Sequence, residues 1–155
     1  MAVRMVDITD KKFTMRKACA HIRVVAPPAL IRKIRAGKLA KGDCLTAAQL
    51  AGIMAAKKTA GIIPLCHQIA LASVAIEFKF RRTCLEIIST VAARYATGVE
   101  MEALTACACA ALTVYDMAKA ETRDILLTDL QLLKKTGGKS GDYVLRPGRR
   151  QKGRR

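Results

Sequence analysis

The residues in this 155-residue chain best equipped for chemistry are an acid and a lysine three positions apart, Asp116 and Lys119, and a second lysine, Lys135, in a glycine-rich stretch. An acid near the C-terminus of a helix opposes the helix dipole, and a lysine three residues on can neutralise it. Glu100 and Glu102 stand at the other end of the same apolar segment, where acids suit the dipole and could also form part of a site. Leu65-Cys66-His67 sets one of only two histidines beside a thiol. Adjacent strand residues face opposite ways, and no second histidine lies at ligand spacing, so His67 fits hydrogen bonding or phosphate binding, or a structural role, better than metal ligation. Lys41, Lys57 and Lys58 surround a predicted helix. Each reads singly as a solvated lysine, and jointly with His67 as a pocket for phosphates.

Lys134 to Gly141, KKTGGKSG, contains Gly-Lys-Ser but is no P-loop: the first glycine of that motif would fall at Leu133, and no helix follows. What remains is a glycine-rich loop with lysines and hydroxyls, able to bring N–H and ammonium groups to an anion.

Elements must hold these groups in place. Residues 1–17 mix charges with single apolar residues and read as an irregular arm. Strand character runs from Ala18 to Val25. Pro27-Pro28 opens a helix over Ala29–Arg35, and Asp43 caps another over about 45–59. Ile69–Arg81 changes apolar phase near Ala72–Ser73, which suggests a bulge, and Leu85–Tyr95 forms the second arm of a hairpin. A helix follows over about 98–120, then a last strand over 125–134. The order β-α-α-β-β-α-β suggests α+β, with helices packed on one face of an antiparallel sheet.

The long helix is the most informative element. Taking 100° per residue, Met101, Leu104, Ala108, Leu112 and Tyr115 form one apolar face, expected to pack in the core. Between Ala103 and Met117 the only charge is Asp116. Such a helix is buried nearly all round, against a sheet and a second subunit. Glu102 and Asp116 are about 21 Å apart along it and cannot meet at one reacting atom within one chain. A symmetric dimer pairing these helices antiparallel would bring them together.

Composition narrows the partners. The net charge is +16, and the last ten residues hold six basic groups and no acid, which leaves +10 on residues 1–145. That favours polyanions: nucleic acid, anionic membrane or a phosphorylated small molecule. With three Tyr, three Phe and no Trp, and no basic recognition helix, nucleic-acid binding is expected only through the Arg-rich tail, residues 146–155, which is expected to be disordered. No run of about 18 apolar residues and no secretory leader is apparent, which points to a cytoplasmic protein whose six cysteines are free thiols. Residues 1–145 are expected to form one domain.

Several blocks resemble the signature segments of the molybdenum cofactor biosynthesis protein C family: Met5-Val6-Asp7-Ile8, Lys41-Gly42-Asp43, Ala51 to Lys57, Ile63-Pro64-Leu65-Cys66-His67, Thr97 to Thr105, Ala111 to Met117 with Lys119-Ala120, and Lys135 to Asp142. The resemblance spans about residues 5–143 in order. It implies a ferredoxin-like α+β subunit in a homohexamer, a trimer of dimers, with sites between subunits. It implies conversion of 3′,8-cyclo-7,8-dihydro-GTP, made by a radical SAM GTP cyclase, to cyclic pyranopterin monophosphate with loss of pyrophosphate. Carried over by motif, Asp116, Lys119 and Lys135 would be the acid–base residues. Lys41, Lys57, Leu65, Cys66, His67, Glu100, Met101 and Glu102 would bind substrate. The sequence departs from the family pattern at Gln68, usually proline, at Cys107 and Cys109, and in the tail.

Overall fold

A computed structural model describes residues 2–146 of the chain, so the expectation for the tail falls, beyond Arg146, outside the described residues. The order is β1 (Thr14–Val25), α1 (Pro28–Arg35), α2 (Cys44–Lys57), α3 (Thr59–Ile62), β2 (Ser73–Phe80), β3 (Cys84–Tyr95), α4 (Glu100–Ala118), β4 (Leu126–Thr136) and β5 (Tyr143–Val144). The sheet runs β2-β3-β1-β4-β5 with every neighbouring pair antiparallel. The α+β expectation holds.

Alternation in β1 decides which face the helices cover. Ala18, Ala20, Ile22 and Val24 are buried and lie opposite Val91, Ser89, Ile87 and Leu85 of β3, also buried. Cys19, His21 and Arg23 take the other face and stay half-buried. Helix α1 starts with proline in its first turn, which costs it no hydrogen bond, and buries Leu30, Ile31 and Ile34 in the same core. Asp43 caps α2 as expected: Oδ1 accepts from the Thr46 amide at 3.1 Å and Oδ2 from its hydroxyl at 2.6 Å.

Helix α4 reverses one expectation. Its core-facing residues are Ala103, Ala106, Cys107, Ala110, Ala111, Val114 and Ala118, all fully buried. The stripe expected in the core points outward: Met101 is 38% and Leu112 57% exposed, and Leu104, Ala108 and Tyr115 are half-buried. Nearly every α4 residue is apolar, so hydrophobicity alone sets no direction. Size does: small side chains let α4 lie close on a sheet whose facing β1 residues include Ala18 and Ala20. Its neighbour α2 also comes close, since a Cβ on Gly52 would sit 3.0 Å from the Ala106 carbonyl oxygen. By length and composition α4 could cross a bilayer, a property no stretch was expected to have, yet here it packs on the sheet and on α2.

Other boundaries differ too. Residues 14–17 belong to β1 rather than to an arm. β2 starts only at Ser73 and pairs with β3 without a bulge, while Ile69 and Leu71 pack on the core from irregular chain. The register shifts lie instead between β1 and β4, at Cys19/Ala20 and His21/Arg23. β4 extends to Thr136, so Lys135 is a strand residue paired opposite Ala18, not a loop residue.

Candidate active site

That strand position aims Lys135. Ala18 faces the helices, so Lys135 opposite it rises on the same side, at the end of the sheet where α4 begins. Its ammonium donates to the Ser140 hydroxyl in the turn that follows. The turn needs its glycines: Gly137 and Gly138 both have φ of 90°, and a Cβ on them would run into the Met15 carbonyl oxygen and the Arg16 guanidinium. Arg16 is in turn held by the Tyr95 carbonyl, 3.2 Å from Nε, and the Ala96 carbonyl, 3.3 Å from Nη2. Lys11, Lys12, Arg16, Lys135 and Lys139 then line one cavity of about 790 Å³, with Asp10 and Glu100 as its acids.

A second cavity of about 340 Å³ shares Thr97, Gly98 and Glu100 with the first. Leu65, Cys66, His67, Ile69, Met101 and Glu102 complete its lining. The Val6 carbonyl accepts from His67 Nε2 at 2.8 Å, which places a ring proton on that nitrogen. Glu102 is only 3% exposed. Burial, with Glu100 nearby, pushes its carboxyl above the usual glutamate range, and burial followed by the Glu102 charge pushes the Cys66 thiol up.

At the far end of α4 stands a separate cluster. Asp116 Oδ1 accepts from Lys119 at 2.7 Å, and Oδ2 from Lys41 at 2.6 Å. Lys41 also donates to the Asp116 main-chain carbonyl at 3.1 Å. The hydrogen bonds from Lys119 and then Lys41 hold the Asp116 carboxyl down at about 2.

Most of the expected site residues are thereby gathered, in two places. Lys135, Glu100, Met101, Glu102, Leu65, Cys66 and His67 surround one pair of joined cavities; Asp116, Lys119 and Lys41 form the other cluster. About 21 Å of helix separates Glu102 from Asp116, so one subunit does not unite the three expected acid–base residues. Lys57 ends α2 with an exposed side chain. Arg16, Lys11 and Lys12 went unnoticed in the sequence because residues 1–17 lack the periodicity that would have placed them.

Fold and cavities together define an α+β protein with a cation-lined cleft opening onto a partly apolar, carboxylate-bearing slot, a shape for a phosphorylated heterocycle. The sequence profile of the MoaC family matches residues 5–138, and the chain belongs to that family. It is 49% identical over 140 residues to a cyclic pyranopterin monophosphate synthase of Peptoclostridium acidaminophilum, covering 90% of this chain and 89% of the relative. It is 50% identical over 141 residues to the protein of that name in Brevibacillus brevis, covering 90% and 88%. With the one in Nostoc sp. it shares 51% over 142 residues, covering 90% and 84%.

Proposed function

We propose that this chain is a cyclic pyranopterin monophosphate synthase. It would convert 3′,8-cyclo-7,8-dihydro-GTP, supplied by a radical SAM cyclase, to cyclic pyranopterin monophosphate and pyrophosphate, as a phosphorus–oxygen lyase of molybdenum-cofactor synthesis. The observation that carries the reading is the joined pair of cavities: five cations line one and a buried carboxyl lines the other. A triphosphate needs the first, and the N–H-rich edge of a purine-derived ring suits the second.

Loss of pyrophosphate builds negative charge on the departing oxygens, which fixed cations stabilise more in the transition state than in the ground state. Lys135, Arg16 and Lys139, which line the larger cavity, would take that task. Ring rearrangement needs several proton transfers, and lysines among other cations can carry them. Lys135 and Lys119 take this role. Asp116, kept ionised by its two lysines, holds Lys41 and Lys119 in position and does not itself donate a proton near neutral pH.

The complete site is shared between subunits of a cytoplasmic homohexamer, a trimer of dimers, so that the Asp116 cluster of one subunit faces the Lys135 cavity of another. Nucleic-acid binding through residues 146–155 is a separable property that a salt titration with and without the tail would reveal. The direct test incubates purified protein with the cyclic GTP-derived intermediate and measures pyrophosphate and pterin product. Folded protein that forms neither refutes the reading.

A further inference from the structure

The turn between β4 and β5 holds a polar group whose hydrogen-bonding capacity is only partly used. Lys135 and Tyr143 pair across the two strands, and the chain between them turns back beside the larger cavity. Two hydrogen bonds hold that turn: Asp142 Oδ1 accepts from the Gly137 amide at 3.2 Å, and the Gly138 carbonyl accepts from the Gly141 amide at 3.1 Å. Lys139 and Ser140 are thereby the two central residues of a β-turn, and both line the cavity. The Ser140 oxygen accepts from the Lys135 ammonium. An ammonium has only protons to give, so this contact uses a lone pair of the hydroxyl and leaves its proton for another acceptor. Among the described residues no oxygen accepts that proton, and neither Asp10 nor Glu100, the acids of the cavity wall, reaches it.

We infer that Ser140 contacts the substrate: its hydroxyl donates to an anionic oxygen of the phosphates that leave as pyrophosphate, while Lys135 holds it in that orientation. The inference rests on the proposed reaction and adds the residue, the atom and the direction of the hydrogen bond. Donation to a charged oxygen is charge-assisted and short. It brings no net charge, so it supplies orientation where the neighbouring cations supply attraction. A phosphate oxygen that draws on the hydroxyl proton also makes the Ser140 oxygen a better acceptor for Lys135. The bound phosphates and Lys135 are then linked through one side chain.

Isothermal titration calorimetry with inorganic pyrophosphate reads this contact without catalysis. Ser140→Ala should weaken pyrophosphate binding about tenfold or more, the scale of one hydrogen bond to a charged group. Ser140 is exposed, so the circular dichroism spectrum and thermal midpoint should stay at the parent's. Ser140→Thr keeps the hydroxyl and should bind near the parent's affinity. In synthase assays Ser140→Ala should raise KM more than it lowers kcat. A double-mutant cycle separates contact from support: adding Ser140→Ala to Lys135→Ala should still cost about threefold or more in pyrophosphate affinity. No further loss in that background would mean that Ser140 only props Lys135, and overturns the inference. Equal affinities for the parent and Ser140→Ala, or a parent that binds no pyrophosphate, overturn it too. Binding that depends on Ser140 in a protein that makes no pterin would refute the proposed function and leave this contact standing. Product formation that is indifferent to Ser140 would do the reverse.

Discussion

The Lys41 ammonium bridges Asp116 twice, reaching the carboxylate at 2.6 Å and the main-chain carbonyl at 3.1 Å, and so ties the loop before α2 to the last turn of α4. Lys119 closes on the other carboxylate oxygen. Three side chains with more than two-fifths of their surface exposed would not hold this geometry for stability alone, because exposed ion pairs contribute little. The arrangement holds two cations at a fixed spacing.

Asp116→Asn should therefore leave thermal stability nearly unchanged and lower kcat by on the order of 100-fold or more, the usual scale for an acid–base group misplaced. The carboxyl titration adds a check. A depressed pKa means that any stability from these pairs is present above the ordinary aspartate range and is lost progressively as pH falls from there through about 2. Carbon-13 NMR should show Asp116 ionised throughout the range from neutral to pH 3, and Lys41→Ala should move its titration upward.

Separation of Lys135 from Asp116 along α4 predicts complementation. Lys135→Ala and Asp116→Asn proteins should each be inactive alone. After co-refolding in equal amounts, half of the dimers are mixed and each mixed dimer holds one intact site, so activity should return to about a quarter of the parent's. Recovery of none would mean that the two groups act within one chain.

How much of this was legible beforehand varied with the physics behind each element. The β1 alternation, the Asp43 cap and the proline that opens α1 are local signals, and the structure keeps them. The facing of α4 was not legible, because an almost wholly apolar helix gives its periodicity little contrast. Only the alanine-lined sheet decides which side fits. Lys135 moved from loop to strand because β1 pairs with β4 through two register shifts, a long-range pairing that β4's own residues do not announce. The grouping of candidate residues was legible in part: Leu65 to His67 and Glu100 to Glu102 line one cavity. Arg16 was missed, since a strand's first turns look like an arm until their partner is known.

Glu102 should reveal its burial through the pH dependence of stability. An acid whose folded-state pKa is raised contributes stability below the ordinary glutamate range and loses it as pH rises through the raised value. Ionised Glu102 is then a destabilising group near neutrality. Glu102→Gln should raise the urea midpoint at pH 7 to 8 relative to the parent, and the difference should shrink toward pH 4. Synthase activity should fall in the same variant if the proposed substrate presents N–H donors here, because an amide replaces one of the two carboxylate acceptors with a donor. A Gln variant whose advantage grew toward acid would contradict this account of the carboxyl.

The turn after β4 offers the sharpest separation of binding from folding. A Cβ at Gly138 would occupy the space of the Arg16 guanidinium and would also require a residue with φ of 90°, which L side chains rarely adopt. Gly138→Ala should cost about 1–2 kcal/mol in unfolding free energy from the backbone alone, little enough for the fold to survive. Arg16 would have to leave the Tyr95 and Ala96 carbonyls, and the Ser140 hydroxyl would lose its alignment with Lys135. Both cations line the larger cavity, so the effect should fall on phosphate recognition, with KM rising more than kcat falls. Arg16→Lys keeps the charge and loses the two-carbonyl fork, so it should reproduce the KM effect without the backbone cost. If Arg16→Lys left KM at the parent's value while Gly138→Ala raised it, the turn itself, and not the guanidinium, would be what the substrate feels.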